Sequence, residues 1–144
     1  MIEYCYTLTG QYEEGESPAS DIACATPIPG EAPTGLFADR IIHSRAYINW
    51  DDMNSATCIV DQYRIRYREV GTTSYSTKTM GVPVGSGCNT SNTSKLVLNL
   101  TPSTQYEYDF KIWYCNASTV SWHSYGTFTT LPACDNAINV TATP

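Results

Sequence analysis

Residues 96–106 read Leu96-Val97-Leu98-Asn99-Leu100-Thr101-Pro102-Ser103-Thr104-Gln105-Tyr106. No other stretch constrains the fold as tightly. Leucines at every second position predict a strand with one buried face. Pro102-Ser103-Thr104 then forms a turn that ends this strand and starts another. Tyr106 opens the second strand, where its hydroxyl can bond back to the backbone of the turn. That device is the tyrosine corner of antiparallel two-sheet sandwiches. The run specifies an architecture and no reaction.

The chain has 144 residues, enough for one full domain plus fragments. Charged residues make up 15%, against roughly 25% in average domains. Thr, Ser and Tyr are abundant, the Thr and Tyr favour strands, and no stretch has convincing helical periodicity. The expected class is therefore all-β. The net charge of −6 argues against nucleic acid or an anionic membrane as partner, because both select basic patches. No apolar run approaches the roughly 20 residues of a membrane span. Met1–Cys5 has neither the basic nor the apolar region of a signal peptide. The chain opens in mid-strand, so Met1 is not expected to be the native terminus.

Six cysteines, Cys5, Cys24, Cys58, Cys88, Cys115 and Cys134, form an even set with no CxxC pair, which argues against zinc. Cys5 and Cys24 are separated by the same interval as Cys115 and Cys134, and Tyr4-Cys5 matches Tyr114-Cys115. The two pairs are offset by 110 residues, a period that suits tandem sandwich modules. The repeat divides the chain into three parts: 1–27, the last hairpin of a preceding module; 28–132, one complete module; and 133–144, a linker and the first strand of the next. It predicts disulfides Cys5–Cys24 and Cys115–Cys134, with Cys58–Cys88 by elimination. Such bonds suit an oxidising, extracellular compartment.

Within 28–132, strands are predicted near 35–42, 45–50, 60–69, 74–80, 94–100, 105–115 and 122–130. Alternation turns Ile48 and Trp50 inward. It does the same for Tyr63, Ile65 and Tyr67, for Tyr106, Tyr108, Phe110, Ile112 and Tyr114, and for Phe128. Arg64, Arg66 and Arg68 then face outward, opposite Glu107, Asp109, Lys111 and Trp113. The leading reading of this outer face is a solvated charge ladder with an Arg stacked on Trp113. The alternative is a ligand face formed by Trp113, Arg66 and Tyr125.

Trp50, the segment Tyr63-Arg64-Ile65-Arg66-Tyr67-Arg68-Glu69-Val70-Gly71-Thr72, the corner Leu98–Tyr108 and the closing Gly126-Thr127-Phe128-Thr129-Thr130 together resemble fibronectin type III domains. The version they most resemble occurs in tandem in large secreted bacterial surface proteins, including those of the type IX secretion pathway. The resemblance covers about residues 32–132. It implies an Ig-like seven-stranded β-sandwich flanked by partial modules. It also implies an extracellular or cell-surface module with a structural or adhesive role, and no enzyme. Its partners would be neighbouring modules of the same polypeptide, and other protein or glycan surfaces. An insertion at Gly81–Thr93, carrying Cys88, departs from the family pattern. Two alternatives stand beside this reading: an accessory, carbohydrate-binding module of a secreted hydrolase or protease, and a filament subunit completed by strand exchange.

Other chemistry finds little footing. His43 and His123 are isolated and read as surface residues, so no catalytic triad is expected. Gly81–Gly87 lacks the Lys and helix of a phosphate loop. No cofactor is expected. Asp39, Asp51, Asp52 and Asp61 are the only candidates for a loop calcium site, and none has EF-hand spacing. Sequons occur at Asn89, Asn92, Asn99, Asn116 and Asn139, with Asn89 and Asn92 the best glycosylation candidates.

Overall fold

The computed structural model describes residues 2–81 and 87–134. The core of the predicted Gly81–Gly87 loop, the sequon at Asn139 and the strand expected within 133–144 fall outside them. Residues 2–27 form two small antiparallel pairs. β1 (Tyr4–Tyr6) pairs with β4 (Ala23–Ala25), and between them β2 (Gln11–Tyr12) pairs with β3 (Gly15–Glu16). Almost every side chain here is exposed.

The remainder is a two-sheet sandwich. One sheet holds β5 (Phe37–Asp39), β6 (Arg45–Asn49) and β9 (Ser94–Leu98) in the order β5-β6-β9. The other holds β7 (Val60–Glu69), β8 (Ser76–Met80), β10 (Gln105–Tyr114) and β11 (Val120–Thr129) in the order β11-β10-β7-β8. All pairings are antiparallel. These seven strands fall where turn signals and alternation put them.

The inward faces of β7 and β10 supply Tyr63, Ile65, Tyr67, Tyr106, Tyr108, Phe110, Ile112 and Tyr114, all buried. At the centre Trp50 lies against Tyr63 (5.4 Å between ring centroids) and Phe110 (5.0 Å). These tilted contacts add to the area buried. Two of the buried tyrosines also use their polar tips. The Tyr63 hydroxyl accepts from the Met53 N–H at 3.0 Å, and the Tyr114 hydroxyl donates to the Glu31 carbonyl at 2.7 Å. Burial pushes the ionisation of Tyr63, Tyr67, Tyr108 and Tyr114 upward, so all four stay neutral.

The tyrosine corner is present. The Thr101 N–H donates to the Tyr106 hydroxyl at 2.8 Å, and that hydroxyl donates to Glu69 Oε1 at 3.1 Å. The Thr101 hydroxyl adds a bond to the same carboxylate oxygen at 2.6 Å. One side chain thus ties the turn to the end of β7.

Two expectations are corrected. The first is the phase of the leucine run. Val97 is fully buried, whereas Leu98 is 45% exposed. Val97 pairs with Ala46 on β6, and Ala46 faces the core. Asn99 then takes a left-handed backbone (φ 59°) that turns Leu100 back inward.

The second is the disulfide pattern. Cys5–Cys24 is formed, across paired positions of β1 and β4. Cys115, however, bonds to Cys88, and Cys58 and Cys134 are free thiols. The equal spacing hides unequal geometry. Residues 5–24 spend their span on an extra hairpin, so the two cysteines meet. Cys115 sits at the turn between β10 and β11, while Thr129, five residues before Cys134, pairs with Gln105 at the far end. Ten strand residues separate those ends by about 33 Å. Cys58 points into the core and Cys88 is exposed, so that pair cannot form either.

Replacing Tyr106 with Phe removes the hydroxyl that joins Thr101 to Glu69. We expect a loss of about 1–3 kcal/mol in urea unfolding with an unchanged fold. An unchanged midpoint would mean the corner contributes nothing.

Candidate binding face

Period-2 alternation sends every second residue of β7 and β10 to the solvent side of the four-stranded sheet. The register sets Arg68 opposite Glu107, Arg66 opposite Asp109, Arg64 opposite Lys111 and Gln62 opposite Trp113. Two of these rungs close as ion pairs: Arg66 Nε to Asp109 Oδ2 at 2.6 Å, and Arg68 Nε to Glu107 Oε1 at 2.5 Å. The bond to Glu107 raises the pKa of Arg68 further above its already high value. Asp109 is 6% exposed, so Arg66 covers a nearly buried carboxylate.

Aromatic rings fill the spaces between the cations. The Arg66 guanidinium lies over Tyr75 (4.3 Å) and Trp122 (4.6 Å), and Arg68 also lies over Tyr75 (4.3 Å). Trp113 carries Arg64 at 4.7 Å and the Lys111 ammonium at 4.4 Å, and Lys111 also reaches Trp122 at 5.9 Å. The outer face is a chain of alternating cations and rings.

Known proteins bear on the fold that carries this face. No family model matches the chain. Human tenascin-N is 30% identical over 105 residues, which is 73% of this chain and 7% of that protein's length. A two-domain fibronectin type III segment of chicken tenascin superimposes with a TM-score of 0.60 at 20% identity, covering 89% of this chain and 65% of the segment. The fibronectin type III domain of human contactin 1 gives 0.57 at 23% identity, over 80% of this chain and 89% of that domain. The chain carries a fibronectin type III fold.

On this fibronectin type III sandwich, the three residues predicted to share a ligand face do not all meet. Trp113 and Arg66 lie on the outer surface. Tyr125 does not: β11 is bulged there, with Gly126 opposite Tyr108 and Ser124 opposite Asp109. The extra residue turns Tyr125 inward, edge-on to Phe110 at 6.4 Å. Trp122 and Tyr75 occupy the outer face instead. Strict alternation from Phe128 would send Trp122 inward, and only the bulge reverses it.

Asn89 and Asn92 are exposed. The side chain of Asn116 is engaged, accepting from the Ile59 N–H (2.7 Å) and donating to the Thr57 carbonyl (3.1 Å). The four aspartates do not gather. Asp39 bonds Asn49, which lowers its pKa, Asp51 accepts from Thr34, and Asp52 from Asn54. Among the described residues the one grouping of three metal-ligand types is Glu3, Cys5 and Cys24, whose thiols are joined as a disulfide.

Arg66→Ala would strand the Asp109 carboxylate, whereas Arg68→Ala frees a glutamate that solvent reaches. We expect about 1–3 kcal/mol of destabilisation for the first and under about 1 kcal/mol for the second. Equal losses in paired urea titrations would contradict this ranking.

Proposed function

We propose that the chain is a non-enzymatic structural and adhesive module of a multi-domain extracellular or cell-surface protein. Residues 1–27 would be the end of a preceding module, 28–132 the complete one, and 133–144 the start of the next. The observation that carries this reading is the junction at residues 28–31. The Ser118 N–H donates to the Ile28 carbonyl at 2.8 Å, Tyr114 holds the Glu31 carbonyl, and the Cys58 thiol donates to the Pro29 carbonyl at 3.7 Å. Gly30 sits so close that a Cβ would collide with the Ser118 carbonyl and the Tyr114 ring. Pro27 and Pro29 stiffen the same segment. A linker fastened in this way transmits orientation from one module to the next, as a spacer requires.

Two facts lend support. Fibronectin type III domains occur in tandem in the chicken tenascin segment and in the FN1-FN3 domains of chicken contactin 1, which cover 89% and 90% of this chain. The two disulfides fit an oxidising compartment. The carbohydrate-binding alternative gains less, because Trp113 spends its ring on Arg64 and Lys111 rather than offering an open platform.

Gly30→Ala tests the junction. Overpacking there should cost about 1–3 kcal/mol and broaden the distance distribution in small-angle scattering. Superimposable scattering curves and melting temperatures would remove the basis for a stiff spacer.

A further inference from the structure

The charge ladder is broken at one rung. Arg68 faces Glu107 and Arg66 faces Asp109, but Arg64 faces Lys111 directly. Like charges opposed across strands repel. Among the described residues neither has a carboxylate partner. Arg64 donates to Gln62 Oε1 at 3.0 Å, and both cations rest on Trp113. The rung is a place where an outside carboxylate would complete an existing pattern.

The chain also carries such carboxylates in a form suited to docking. Residues 2–27 contain Glu3, Glu13, Glu14, Glu16 and Asp21, and neither Lys nor Arg. Glu13 and Glu14 form the exposed two-residue turn of the β2–β3 hairpin, beside Tyr12, which is 71% exposed. Glu16 engages Gln11, but Glu13 and Glu14 have no cation among the described residues. The acidic residues near the sandwich are better occupied, as Asp51 and Asp52 hold Thr34 and Asn54.

We infer that the Arg64–Lys111–Trp113 surface docks the acidic β2–β3 turn of a second copy of this chain. Glu13 and Glu14 enter the open rung, and Tyr12 can lie against the ring-rich face. The contact joins two different surfaces, so it is heterologous and propagates copy to copy unless its rotation closes a ring. The inference deepens the adhesive part of the proposed function and is independent of the stiff junction. Failure of the junction appears in scattering of the monomer, and failure of the docking appears in self-association.

Sedimentation velocity of the full chain at low ionic strength, over rising concentration, supplies the test. The wild type should associate, and association should weaken by about tenfold or more at physiological salt. A chain bearing Arg64→Glu and Lys111→Glu should be monomeric, as should one bearing Glu13→Lys and Glu14→Lys. Mixing the two variants, or combining all four substitutions in one chain, should restore association. Should the face variant fail to fold, Lys111→Gln with the exposed turn variant carries the same comparison. A monomeric wild type at every concentration would overturn the inference, as would association that survives reversal of the turn. Retention on a sulfated polysaccharide column without self-association would equally overturn it, by naming a different occupant.

Discussion

The antiparallel pairing of β7 with β10 is the interaction on which the rest of the structure depends. Two ten-residue strands meet in register from Tyr106 opposite Glu69 to Trp113 opposite Gln62. One set of alternate residues makes the aromatic core, and the other makes the ladder of cations, carboxylates and rings. A slip of one residue would exchange the two faces and drive arginines into the interior. The core therefore fixes the register, and the register fixes which charges meet. The tyrosine corner secures one end of this pair through Glu69, and Tyr114 secures the other through the linker carbonyl of Glu31.

This arrangement couples stability to recognition. The paired rungs at Arg66 and Arg68 keep the outer face ordered. The unpaired rung at Arg64 and Lys111 leaves a small cationic site on a chain whose net charge is −6. Trp113 lets the two cations coexist by offering both a π surface. A fold that leaves a like-charge rung open bears a small cost, which a docked carboxylate would offset.

Much of this was legible in the sequence, for a definite reason. β7 and β10 are long, alternate strictly and carry no irregularity through most of their pairing, so period alone assigned their faces. Tyr106 followed from its place after the Pro102 turn. What could not be read were features that change phase or require three-dimensional closure. The bulge at Tyr125 reversed the roles of Tyr125 and Trp122. The left-handed Asn99 separated Leu98 from Leu100. Tyr75 joined the ladder from just outside β8, within the predicted 74–80 strand, whose mostly polar residues leave alternation no apolar face to assign. The disulfides depended on where a hairpin turns, and equal cysteine spacing concealed a short hairpin in one place and a long one in the other. Cys115 accordingly bonds to Cys88 and leaves Cys134 free.

A double-mutant cycle between Arg64 and Lys111 tests the register and its consequence most directly. Urea unfolding at low salt would be measured for Arg64→Gln, Lys111→Gln, the double variant and the parent chain. The account predicts a repulsive coupling of a few tenths to about 1 kcal/mol, so that neutralising Lys111 helps the fold more when Arg64 is present. A coupling of zero, or a favourable one, would contradict the open rung and the register that creates it.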